Sequence, residues 1–187
     1  MAGDNHSPPQ VPILFAIEHA GRNTPDLTAT ANERNCIEQC RQIIVAAPGS
    51  AQQLNENGYG TLHYAAKRGW AELAAFFLRP ENGARPDATG LDGQQPVHWA
   101  AAWGTVQLVA LLVAHGASLD AKDSGGCNPL HFAAMHGRNT MVQYLLTRGC
   151  SPNAADADGY AAIHRAASQL HRLVVRSLLS ESTTSVH

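Results

Sequence analysis

"GCNPLHFAAMHG", residues 126–137, decides the fold. Read alone, it sets His131, His136 and Cys127 close together and looks chemical. Read against the rest of the chain, it is one of four copies. The others are "GYGTLHYAAKRG" (58–69), "GQQPVHWAAAWG" (93–104) and "GYAAIHRAASQL" (159–170). The shared histidines are His63, His98, His131 and His164, at spacings of 35, 33 and 33 residues. An Ala-Ala pair follows each of them one residue later. A second apolar run then follows: "ELAAFFL", "QLVALLV", "TMVQYLL" and "RLVVRSLL". Self-similarity at such a period marks stacked repeats.

Each shared residue type has a physical reason. The Gly that opens each copy suits a tight turn with positive φ. Pro96 and Pro129 fit the first helical turn, where the missing N–H has no intrahelical partner. The alanine pairs let neighbouring helices approach closely. Gly69, Gly104 and Gly137 are expected to end the first helices in the left-handed conformation. The second runs place Leu108, Val109, Leu112 and Val113, then Met141, Val142, Leu145 and Leu146, at helical spacing. One unit cannot bury that stripe alone, but stacking does, at about 25 cal/mol per Å² of apolar surface.

With its T-P-L-H-x-A pattern and period of about 33, the layout resembles the ankyrin repeat. The resemblance covers residues 11–179 and implies an all-α solenoid of about five helix-turn-helix units joined by hairpin loops. The units run roughly 11–54, 55–89, 90–122, 123–155 and 156–179, with disordered ends at 1–10 and 180–187. The first and last units are expected to be atypical caps, since one face of each meets water. In the first, "VPILFAIEHA" and "IEQCRQIIVAA" read as the helices, separated by a polar insertion, 21–34. In the last, Ala161 and Ala162 replace Thr-Pro, and Leu170 takes the inter-helix Gly position.

The repeat also settles what looked like a reactive cluster. Four histidines at one repeat position stand about 10 Å apart, whereas zinc ligands lie about 2 Å from one ion. Their expected role is a hydrogen bond to backbone near the neighbouring hairpin. Asp92, Asp123 and Asp158 read as turn formers through Asx bonding, not as paired catalytic carboxylates. Cys36, Cys40 and Cys150 read as buried small hydrophobes, and Cys127, on a hairpin, as the thiol expected at the surface. There is no GxSxG, HExxH or Walker loop, so the chain is read as non-enzymatic, without cofactor or metal.

Composition narrows the rest. The chain has 187 residues and a formal net charge of −2. It has no basic cluster of the kind nucleic-acid binding requires. Its apolar runs are too short to span a bilayer, and it opens on no signal peptide. Four cysteines without a CxxC suit reduced thiols in a cytoplasmic protein, with the nucleus as an alternative.

Function is therefore sought at positions the repeat leaves free. Stacked units form an extended concave surface lined by hairpin tips and first helices. The candidate partner-binding residues are Tyr59, Leu91, Gln94 and Tyr160 on the hairpins, and Arg68, Trp99, Trp103, Met135 and His136 on the helices. Trp103 leads, because aromatic side chains dominate binding hot spots; Trp99 is expected to be half-buried. The expected function is a monomeric interaction module or adaptor that holds another protein, or an extended peptide segment, in the groove. An inhibitor that covers an enzyme's site is the alternative.

A narrower similarity lies in "CIEQCRQIIVAA", "LNENGYGTLHYAA", "GQQPVHWAA" and "GYAAIHRAA". These runs resemble the ankyrin domains of DHHC palmitoyl acyltransferases. That resemblance implies a substrate-recruiting domain holding a short Val- and Pro-containing segment, with Trp99 taking part. Arg68 stands where that family has Asn, and the acyltransferase Cys-rich domain is absent from this sequence.

Overall fold

The computed structural model describes residues 12–20 and 29–184. The expected N-terminal tail and the first part of the insertion lie outside the described residues. Among the described residues the α-helices come in five pairs. They are α1 (Pro12–His19) with α2 (Ala29–Ala46), α3 (Thr61–Arg68) with α4 (Ala71–Phe77), α5 (Pro96–Trp103) with α6 (Val106–Ala114), α7 (Pro129–Met135) with α8 (Asn139–Thr147), and α9 (Ala162–Ser168) with α10 (Arg172–Thr184). Among the described residues the only β feature is an isolated bridge, Ala155 with Ala161. First helices stack on first helices and second on second, giving an all-helical solenoid of stacked pairs. The alanine pairs Ala65–Ala66, Ala100–Ala101 and Ala133–Ala134 are fully buried at the first-helix seams.

The hairpins form a ladder. The N–H of Leu91 donates to Asn57 O, that of Ser124 to Asp92 O and that of Ala157 to Gly125 O, each at 2.9 Å. Gly93 has φ +77°, and a Cβ there would stand 2.5 Å from the Ser124 nitrogen. The position thus needs glycine for both conformation and clearance. Asx bonding holds each turn: Asp123 Oδ1 accepts from the N–H of Cys127 at 2.8 Å, and Asp156 Oδ1 from that of Tyr160 at 2.9 Å. In the last hairpin this work falls to Asp156, not to Asp158, which the Arg165 guanidinium reaches at 3.3 Å.

His63, His98 and His131 each tie two pieces of backbone together. His63 Nδ1 accepts from the Gly60 N–H at 3.1 Å, and its Nε2 donates to Gln94 O at 3.1 Å. His98 does the same with Gln95 N–H and Ala121 O, and His131 with Asn128 N–H and Tyr160 O. His164 keeps the first bond, from Ala161 N–H at 3.1 Å, and is exposed. With both nitrogens engaged, His63, His98 and His131 have no lone pair free for a metal.

Three local expectations change, and one position carries an unusual backbone. Gly104 is extended (φ −83°, ψ −167°), not left-handed; a Cβ there would meet Ala100 O at 2.8 Å, so clearance is what demands glycine. Residues 29–34 of the insertion are helical, because Glu33 is buried and accepts the Leu73 N–H at 2.9 Å at the start of α4. Burial raises the Glu33 pKa, partly offset by these backbone donors. The helix α10 runs through Thr184, so the C-terminal stretch expected to fray from 180 is helical to that point. Leu170, in the inter-helix glycine position, carries φ +60°.

Two tests follow. Burial pushes His63 from its ordinary 6.5 down to about 4, and lowers His98 and His131 as well. The folded values lie below those of the unfolded chain, so this stabilisation is complete above about pH 6.5 and is lost as pH falls toward about 4. Urea midpoints should drop between about pH 7.5 and about pH 5. A His63→Gln chain, weaker at neutral pH, should lose about 2 kcal/mol less on that acidification; equal losses would remove His63 from this account. Separately, Leu170→Gly should stabilise by about 1 kcal/mol, raising Tm by about 2–4 °C. A lowered Tm would show that the exposed leucine contributes more than its backbone costs.

Candidate binding groove

The position directly after the repeat histidine is aromatic in three units, Tyr64, Trp99 and Phe132. Phe132 packs edge-on against His98 at 5.1 Å, and Trp99 against His63 at 5.6 Å. Four residues on, one helical turn away, lie Arg68, Trp103 and His136, at the mouth of the seam. The sequence thus builds a continuous aromatic run across three units. Tyr59 meets Trp99 at 4.8 Å, Trp99 meets Trp103 at 5.7 Å, and Trp103 meets His136 at 4.8 Å.

Trp103 stands proud of this run, 39% exposed and flanked edge-on by Trp99 and His136. Its neighbours fix its plane without covering it. His136 is held by Phe132 O, 2.9 Å from its Nδ1. Met135 is half-buried beside it and lends its carbonyl to His171 Nε2 at 3.0 Å. Trp99 is not half-buried as expected but 9% exposed. Its indole N–H donates to Gln94 Oε1 at 2.7 Å, and Lys67 Nζ lies 5.8 Å above its ring. Trp99 and Gln94 therefore buttress the groove.

The remaining candidates divide by location. Tyr59 is half-buried; its hydroxyl donates to Asp92 Oδ2 at 2.6 Å, and burial with that bond lifts its pKa to about 12. Arg68 is drawn to the N-terminal unit, where Nη2 donates to Glu18 O and the guanidinium lies 5.4 Å over Trp70. Leu91, 79% exposed, sits on a hairpin tip. Tyr160, 50% exposed, belongs to the last hairpin; its ring lies under Arg165 at 5.2 Å. Of the nine, the structure brings Tyr59, Gln94, Trp99, Trp103, Met135 and His136 into one contiguous region.

Tyr64 went unlisted among the sequence candidates, yet it belongs to the same wall: it faces Trp99 at 6.2 Å, and Asn55 Nδ2 donates to its hydroxyl at 3.0 Å. The signal was available, since Tyr64 occupies the repeat position of Trp99. Cys127 corrects an expectation. It is 8% exposed, its Sγ lies 3.9 Å from Asp156 Oδ2, and burial pushes its pKa up to about 11, so it is no reactive surface thiol. Among the described residues, no three His, Cys, Asp or Glu side chains are placed to hold a metal, and no helix is long and apolar enough to cross a membrane.

The comparisons with known proteins agree with this geometry. A family profile described as ankyrin repeats (3 copies) matches residues 27–123, and a second, ankyrin repeats (many copies), matches residues 112–166. The chain is also similar to the human BCL-6 corepressor-like protein 1, 26% identical over 110 residues. That match takes in 57% of this chain and 6% of the relative, so it concerns a small part of a much longer protein. Ankyrin repeats are protein–protein interaction modules and are generally non-catalytic. On the profile that spans more than half of its length, the chain belongs to the ankyrin-repeat family.

Proposed function

We propose that this protein is a monomeric, non-catalytic adaptor that grips an extended segment of a partner protein across the first-helix face of its middle units. One observation carries the reading: Trp103 presents an indole to solvent while Trp99 and His136 hold it edge-on. A large apolar surface already fixed in position loses little entropy on binding, which is what makes tryptophan a hot-spot residue. The surroundings supply polar selectivity through Lys67, Tyr59 and Asp92. A globular partner surface would have to reach between hairpin tips, whereas an extended chain lies along the groove; the long axis of the aromatic run therefore favours the latter. Four buried free thiols suit a reducing compartment, and we assign the protein to the cytoplasm or nucleus.

Substrate recruitment of the kind suggested by the acyltransferase resemblance is a special case of this reading. The same aromatic run would do the work, with Trp103 in front of Trp99 as the contacting residue.

The test is affinity capture on the full-length chain followed by titration of the captured protein. Trp103→Ala should weaken binding by about 2 kcal/mol, about thirtyfold, with an unchanged thermal midpoint. Unchanged affinity in a folded Trp103→Ala chain would remove the groove from the function.

A further inference from the structure

The last unit ends on a face that its own predecessors bury. Positions equivalent to Ile163, Ala167 and Val175 are Val97, Ala101 and Val109 in one unit, then Leu130, Ala134 and Val142 in the next. All six of these are 0% exposed, because the following unit covers them. In the last unit Ile163 and Val175 are half-buried and Ala167 is exposed. Leu170 and Leu179 extend the same face at 85% and 53% exposure. Together Ala167, Leu170, Val175 and Leu179 line an apolar trough of about 390 Å³ between α9 and α10, rimmed by Arg172 and Arg176.

This is unlike a solvent-facing cap, where those positions would be polar. On the hairpin side the unit is polar: Arg165 replaces the aromatic of earlier units and its Nε donates to Asp156 Oδ2 at 2.8 Å. Only the helix side keeps the residue types of an interior junction. A contiguous apolar face of this kind, rimmed by charge, marks an interaction surface.

We infer that this trough receives an amphipathic helix from a partner, with a leucine-type stripe flanked by Asp and Glu. Two observations select that occupant. The interior junctions show that this face accepts α-helices lying on α-helices. The rim is cationic, and Arg172 and Arg176 have no carboxylate partner among the described residues. A second copy of the chain placed face to face would oppose four guanidiniums, so charge disfavours that arrangement. The surface is distinct from the aromatic groove, and its proposal does not depend on the function assigned there.

Two blocked synthetic peptides test it on the full-length chain by fluorescence anisotropy at low salt. Both carry the same leucine stripe at i, i+3, i+4 and i+7, one with Glu at the flanking positions and one with Lys. The Glu peptide should bind about tenfold or more tightly than the Lys peptide. The double variant Arg172→Glu/Arg176→Glu, at exposed positions that leave the core untouched, should reverse that preference. Trp103→Ala should bind the Glu peptide as the parent does. Equal binding of the two peptides, a preference unmoved by the arginine reversal, or a chain that dimerises on sedimentation and binds neither peptide would overturn the proposal.

Discussion

A neutral imidazole lodged between consecutive units is the contact on which the stack depends. His63, His98 and His131 each accept from backbone at the start of their own helix and donate to a carbonyl of the next unit. No other side chain of that size offers an acceptor and a donor on opposite edges of a rigid ring. Buried polar groups left without partners cost about 1–3 kcal/mol each. The histidine therefore satisfies two backbone groups at once while setting helix-to-hairpin distance. Hydrophobic burial supplies most of the driving force, but it is non-directional; the imidazoles and the hairpin ladder fix the register in which it acts.

That division of labour explains why the groove is free to specialise. The alanines, glycines and histidines are committed to geometry, so residues one turn further along are free to differ. Arg68, Trp103 and His136 occupy the same repeat position and do three different things. Arg68 reaches the N-terminal unit, Trp103 faces solvent, and His136 holds Trp103. Variation at a single position of a rigid frame is how such a frame acquires individuality without losing stability.

Much of this was legible in the sequence. The period, the turn glycines and the imidazole-to-backbone bonds followed from recurrence alone, because a feature repeated at fixed spacing must satisfy the same constraint each time. What recurrence could not reveal lay in contacts between unlike residues. The depth of Trp99 depends on Gln94 and Tyr59 closing over it, and neither neighbour has a counterpart of its type in the next unit. Gly104 carries the repeat glycine but meets its constraint by clearance to Ala100, a distinction no spacing encodes. Cys127 looked exposed because hairpins usually are, yet Asp156 from the next hairpin covers it. Residues 29–34 read as part of the polar insertion from composition, since the backbone donor that Glu33 satisfies lies at the start of α4, forty residues away in sequence.

The last of these has a consequence for how the molecule tolerates change. The Glu33 carboxylate sits at the beginning of a helix forty residues away in the chain and satisfies a backbone donor there. The irregular opening unit is thereby keyed to its neighbour at a single angular setting. Each residue added inside α2 between that carboxylate and the buried Cys36 would swing it about 100° around the helix axis relative to the packed part of α2 and strand the donor. Evolutionary lengthening should accordingly collect outside α2, making the glutamate an anchor that separates a permissive stretch of chain from one in which every residue counts.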